Sequence, residues 1–66
     1  MRNRTPLTAD IAAQIKALAA YSDLHQHEIA SRLGSINQGR VSEVLSGKRY
    51  SSIPPASRNA VIHLLR

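Results

Sequence analysis

The chain has 66 residues, 42% of them apolar, no cysteine, and nine Lys and Arg against four Asp and Glu. A chain of this length forms one domain and buries only about 60% of its unfolded surface, so we expect no enzyme, no small-molecule ligand, and no cofactor or metal site. It has no apolar run of about 18 residues, no apolar leader and no disulfide, which predicts a cytoplasmic protein with no membrane contact.

The positive charge is concentrated in the second half of the chain. Residues 1–31 carry three basic and three acidic residues, whereas residues 32–66 carry six basic residues and Glu43 alone, which accounts for the whole net charge of +5. This asymmetry favours a polyanionic partner, and nucleic acid before a membrane, because no basic amphipathic helix of the surface-lying kind is present. A solubilising charge without a partner is the alternative.

The first predicted helix runs from about residue 9 to residue 20 and is rich in strong helix formers. Thr8 is a suitable N-cap, and Asp10 places a negative charge in the first turn, where it is favourable. Apolar residues recur at spacings of four and three, which predicts one buried face made of Ile11, Ile15 and Leu18.

The second predicted helix begins after His25 and ends at Gly34, a residue that tolerates the left-handed conformation at a helix end. Glu28 lies three residues after the cap, as in a capping box. Leu24 and Ile29 have the spacing of a hydrophobic staple.

The third predicted helix covers about residues 38–46, between the N-cap Asn37 and Gly47. Ile36 and Val41 form a second staple pair. The side chains expected to face the core are Val41, Val44 and Leu45.

The fourth predicted helix covers residues 54–66, because Pro54 and Pro55 suit the first turn of a helix. Its apolar stripe consists of Ala60, Val61, Leu64 and Leu65. Residues 1–6, a basic arm, and residues 48–53 are expected to be flexible. The whole chain is therefore predicted to be a single all-α, compact four-helix domain.

The segment over about residues 25–46 resembles a known motif. The residues that carry the likeness are Gln26-His27-Glu28-Ile29-Ala30-Ser31-Arg32-Leu33-Gly34 and Asn37-Gln38-Gly39-Arg40-Val41-Ser42-Glu43-Val44-Leu45-Ser46-Gly47-Lys48. They resemble the helix-turn-helix of phage-repressor-type (Cro/C1 or XRE-like) transcription regulators. One departure is that Ser35 and Ile36 both intervene before Asn37, so the turn is one residue longer than usual.

The resemblance implies that helix 3 enters the major groove of double-stranded DNA. The base contacts expected from its solvent side involve Gln38, Gly39, Arg40, Ser42 and Glu43. Gln pairs with adenine, Arg with guanine, and Glu can accept from cytosine. Glu43 has a second interpretation, a salt bridge that aims Arg40 or Arg49. For the whole set, the alternative is a solvated helix face with an i,i+3 pair. Glycine at position 39 has two interpretations: it allows the helix to approach DNA closely, or it is simply tolerated near a helix end.

Phosphate contacts set affinity and register and not sequence choice. The candidates are Gln26, Asn37, Ser46, Lys48, Arg49 and Tyr50. Arg2 and Arg4 could enter a minor groove, although a disordered tail is favoured.

The three histidines do not predict a metal site. His25 and His27 are two residues apart at a helix start and do not share a helix face, and His63 is distant. A histidine near a DNA phosphate would make binding mildly pH-dependent.

The expected function is that of a sequence-specific repressor that binds an inverted repeat as a homodimer and is nucleoid-associated when bound. The dimer candidates are Ile53, Val61, Ile62, Leu64 and Leu65, unless helix 4 only closes the monomer core. The rival functions are a helix-turn-helix protein adaptor and a nonspecific nucleic-acid binder.

Overall fold

The computed structural model describes residues 6–65, and within that range it is all-helical with no strand. Its elements are α1 (Ala9–Tyr21), α2 (Gln26–Arg32), α3 (Gln38–Ser46) and α4 (Arg58–Val61), the last followed by a 3₁₀ turn over Ile62–Leu64. The predicted all-α four-helix domain is confirmed. None of the described helices is both long and apolar enough to cross a membrane. The predicted arm, with Arg2 and Arg4, lies outside the described residues except for Pro6.

Helix α1 is the centre of the fold, because α2, α3 and α4 all pack against it. It begins as predicted, with the Thr8 hydroxyl accepting a hydrogen bond from the Ile11 amide at 3.2 Å. Four of its side chains are fully buried: Ala12, Ile15, Ala17 and Leu18. The two alanines lie among them without a bulky side chain, which lets neighbouring helices approach α1 closely.

The start of α2 matches the predicted cap. The Glu28 carboxylate accepts a hydrogen bond from the His25 backbone amide at 2.7 Å. This bond lowers the pKa of the Glu28 carboxyl, since it stabilises the charged form.

The longer turn between α2 and α3 is accommodated by its backbone. Gly34 has φ +86° and Ser35 has φ +63°, so two consecutive residues adopt the left-handed region. The chain then returns inward, and the Ile36 amide donates to the Ala30 carbonyl at 3.2 Å. Ile36 is thereby buried with only 4% of its surface exposed, and the additional turn residue does not displace the apolar anchor from the core. We refer to residues 26–46 as the α2–turn–α3 unit.

Helix α3 has the predicted bounds, but one predicted core residue is exposed. The Asn37 side chain accepts from the Gly39 amide at 2.7 Å, and Gly47 ends the helix with φ +86°. Val41 and Val44 are buried, whereas Leu45 retains 37% exposure. Two valines three residues apart already fill the inward face, and the next residue lies about 100° further around the helix. Leu45 therefore lines a shallow open groove beside Ala19 and Ala20 of α1.

The fourth helix begins later than predicted. Ser57 is its N-cap and accepts from the Ala60 amide at 3.2 Å, whereas residues 53–57 are not helical. The prediction that Pro54 and Pro55 form its first turn is wrong, because a residue before proline is disfavoured in the helical region. The non-helical stretch instead lets the Ala56 amide donate to the Ala13 carbonyl of α1 at 2.9 Å. Val61 is fully buried in the core.

Candidate nucleic-acid interface

The solvent side of α3 carries the predicted base-contacting residues. Because Val41 and Val44 point inward, the residues between and around them face outward. Gln38, Gly39 and Ser42 are exposed, and Arg40 and Glu43 are half-buried. The structure therefore leaves all five residues at least partly accessible to solvent.

Three of the predicted site residues meet at one carboxylate oxygen. Glu43 Oε1 accepts from Arg40 Nη1 in an ion pair along the helix, and from Arg49 Nε at 2.6 Å. These two hydrogen bonds hold the pKa of the Glu43 carboxyl below its ordinary value, and the bond from Arg40 has the larger effect. The salt bridge that was one interpretation of Glu43 is present and includes both arginines, and its Arg40 contact is also the i,i+3 pair of the solvated-face alternative. We call Arg40, Glu43 and Arg49 the arginine–glutamate cluster.

The chain after α3 folds back over the end of the helix. The backbone amides of Lys48 and Arg49 both donate to the Glu43 carbonyl, at 2.9 and 3.3 Å. Tyr50 then adopts φ +54°, a left-handed conformation. The basic segment Lys48–Tyr50 therefore lies beside the solvent side of α3, with all three residues exposed.

Lys16 fixes this basic segment to α1. Its ammonium donates to the Tyr50 and Ile53 carbonyls, each at 2.6 Å. The Ile53 amide donates in turn to the Tyr50 carbonyl at 3.1 Å. Residues 48–53, which were predicted to be flexible, have an irregular backbone that is hydrogen-bonded to α1 at Tyr50 and Ile53. We call this arrangement the Lys16 clamp.

Gly39 has an explanation within the chain. A Cβ atom placed at Gly39 would lie 3.0 Å from Asn37 Oδ1, the oxygen that caps α3. Any larger residue would therefore press on the cap. This reason is independent of both earlier interpretations, close approach to DNA and tolerance at a helix end.

Among the other phosphate candidates, several side chains already have intramolecular roles. Asn37 caps α3, and the Ser46 hydroxyl donates to the Glu43 carbonyl at 3.2 Å. Gln26 is the first residue of α2 and is half-buried. By contrast, Lys48 is exposed and has no side-chain hydrogen bond or ion pair to any described residue.

The histidine side chains at the start of α2 are closer than their spacing suggested. The His25 and His27 rings stack with centroids 5.9 Å apart and planes 8° from parallel. They meet because His25 is the extended N-cap residue and not part of the helix. Stacked rings do not converge on one ion, and the described residues contain no group of three metal-ligating side chains.

The predicted dimer candidates separate into buried and accessible residues. Val61 is fully buried in the monomer, so its assignment to a dimer surface is corrected. Leu64 and Leu65 are half-buried and pack against the core. Ile62 is 41% exposed and Ile53 is half-buried, so these two remain accessible to a partner.

Two basic residues have roles that the sequence did not indicate. Lys16 forms the clamp, and Arg32 Nη1 donates to the Leu64 carbonyl at 2.7 Å, which ties α2 to the 3₁₀ turn. Their partners lie 32 or more residues away in the chain. No local spacing carries such a signal.

Comparison of the chain with models of known families, with curated proteins and with solved structures finds no significant match. The likeness of the α2–turn–α3 unit to phage-repressor-type regulators therefore stays a prediction made from the residues.

Proposed function

We propose that this protein is a sequence-specific double-stranded DNA-binding transcription regulator, a repressor of a bacterial or phage operon. The observation that supports this function best is the placement of the arginine–glutamate cluster. It joins the solvent side of α3 to the basic segment that follows it. Base-reading and phosphate-binding groups on one surface are what sequence-specific binding requires.

In the proposed complex, α3 lies in the major groove with its first turns against the base edges. Gln38 contacts adenine and Arg40 contacts guanine, since both pairings are bidentate. Lys48 and Arg49 bind phosphates on either side of the groove and set the register of α3. Repression follows from occupying the operator, so that polymerase is excluded.

The protein binds its operator as a homodimer on an inverted repeat. A single module of this kind buries roughly 600–1,000 Å² on DNA, and tight specific sites need more. A second copy doubles the contacts without adding residues to the chain. Ile62, exposed beside Leu64 and Leu65, is the residue best available for this dimer surface.

Two other functions each have one favourable observation. The net charge of +5 favours nonspecific nucleic-acid binding. The groove where Leu45 lies beside Ala19 and Ala20 favours a protein adaptor, which would dock a partner helix and read no bases.

Selection from random duplex DNA at about 0.15 M salt distinguishes the three functions. An enriched inverted repeat supports the specific dimer, and an enriched single half-site supports specific binding by a monomer. Retention without enrichment identifies a nonspecific binder. No retention leaves the adaptor function.

Matched arginine variants test the role of α3. Arg40→Ala is expected to cost about 1–3 kcal/mol of discrimination at one base pair. Arg58→Ala removes the same charge from α4, which packs against α1, and is expected to preserve the selected sequence. If Arg40→Ala also leaves the selected sequence unchanged, α3 is not the reading helix.

A further inference from the structure

Glu43 is the only acid among residues 32–66, and it lies in the middle of the surface assigned to DNA. A carboxylate there repels phosphates of every sequence. An isolated pair between Arg40 and Glu43 along the helix would be an ordinary surface contact of little consequence. Here, however, the same oxygen also holds Arg49, six residues later and beyond the end of α3. The second contact shows that Glu43 connects two parts of the site.

The donor atoms used by Glu43 leave the binding edges of both arginines open. Arg40 engages through Nη1, so its Nε and Nη2 groups, which form the side-on donor pair, remain without a partner among the described residues. Arg49 binds Glu43 through Nε, so both of its Nη groups remain without a partner among the described residues. A side-on pair matches the N7 and O6 acceptors of guanine, and two Nη groups match two phosphate oxygens.

Fixing the guanidinium of Arg40 before binding reduces the rotamer freedom lost when the base contact forms. The negative charge of Glu43 at the same time lowers affinity for DNA in which no guanine meets Arg40. A contact that repels incorrect partners more than the correct one increases specificity, even though it lowers affinity overall.

We infer that Glu43 is a positioning residue that sets sequence selectivity: it holds Arg40 toward guanine and Arg49 toward phosphate, and it weakens binding to every other sequence. The inference rests on the proposed function and adds to it the residue that orients Arg40 and Arg49 for their contacts. It also excludes a direct contact between Glu43 and cytosine.

Glu43→Gln is the test variant, since it retains the size of the side chain and an acceptor oxygen but removes the charge. Affinity is measured for the selected operator and for a scrambled duplex. We expect binding to the scrambled duplex to become severalfold tighter, and the ratio of the two affinities to fall about tenfold. Asp23→Asn removes one negative charge from the exposed connection between α1 and α2 and serves as the control, with the ratio unchanged.

The double variant Arg40→Ala, Glu43→Gln separates positioning from direct reading. If Glu43 acts through Arg40, the double variant is no less selective than Arg40→Ala alone, and both single variants lose preference at the same base pair. Additive losses at two different base pairs would show that Glu43 reads a base itself and would overturn the inference. So would a Glu43→Gln protein with the wild-type affinity ratio.

Thermal unfolding of each variant identifies any loss of DNA affinity that comes only from a destabilised fold. A residue with a purely structural role would lower the stability of the protein without changing the affinity ratio. Failure of the proposed function has a different signature: the wild-type protein itself would then show no preference for any sequence.

Discussion

The Lys16 clamp allows a quantitative prediction of how much one substitution lowers the free energy of unfolding. Lys16→Met keeps most of the apolar stem but removes two hydrogen bonds from an ammonium to backbone carbonyls, each 2.6 Å long. A hydrogen bond to a charged group contributes about 1.5–3 kcal/mol. The Tyr50 carbonyl is exposed and regains water in the variant, whereas the contact to Ile53 is partly buried. We therefore expect a loss of about 2–3 kcal/mol, less than twice the value for one bond.

Thermal unfolding followed by circular dichroism measures this loss. For a domain of this size, 1 kcal/mol corresponds to about 4–8 °C, so the Tm of Lys16→Met should fall by roughly 10–20 °C. Lys48→Met is the matched control because it makes the same substitution on the exposed basic segment, and its effect should stay within about 0.5 kcal/mol. Equal shifts in the two variants would refute the clamp, as would a Lys16→Met protein with wild-type Tm.

DNA binding provides a second distinction between the two lysines. If Lys48 binds a phosphate as proposed, Lys48→Met should reduce the salt dependence of affinity by about one counterion. Lys16→Met should weaken binding through the loosened segment and leave the salt dependence nearly unchanged. The opposite pattern would mean that Lys16, and not Lys48, faces the nucleic acid.

Three further predictions concern the fold. Val61→Ala should destabilise the protein by about 2–3 kcal/mol in urea unfolding, whereas the neighbouring, exposed Ile62→Ala should cost less than about 1 kcal/mol; similar losses would place both residues in the core. Ser35→Gly should stabilise the protein by about 0.5–1 kcal/mol, because glycine adopts the left-handed backbone at φ +63° without the steric strain of a side chain. Part of this gain is lost, since glycine has more conformational entropy in the unfolded chain. A lower urea midpoint would contradict this. The pKa values of Glu28 and Glu43 are lowered in the fold, so their stabilising contribution is complete above the ordinary carboxyl range and is lost as the pH falls through the folded values. The urea midpoint should therefore be lower at pH 3 than at pH 6, and the Glu28→Gln, Glu43→Gln double variant should show a smaller drop.

Local patterns in the sequence were sufficient to predict where the first three helices begin. Thr8, His25 and Asn37 were predicted as caps and lie at helix starts, because capping depends on residues within one turn. The fourth helix was placed too early because proline is acceptable in a first turn. Pro54 itself precedes Pro55, and Ser57 offers a side-chain cap three residues later.

Contacts between distant residues could not be predicted from spacing. Leu45 was assigned to the core from its position beside Val44, but the exposed side of a short helix is set by which neighbours cover it. The Lys16 clamp depends on where the chain after α3 passes α1. For Glu43, the sequence indicated a salt bridge to Arg40 or Arg49 as one of two possibilities. Arg40 reaches Glu43 along the helix, and the turn at Gly47 brings Arg49 to the same carboxylate. Whether these residues bind DNA stays a prediction.

The burial of Val61 has a consequence for how the protein is made. Synthesis proceeds from the N-terminus, so α1 leaves the ribosome long before α4, which packs against it. Until residue 61 emerges, the nascent chain presents an incomplete core with apolar side chains of α1 accessible to chaperones. Since the core is complete only when Val61 has joined it, we expect the described part of the chain to reach its native packing late in folding.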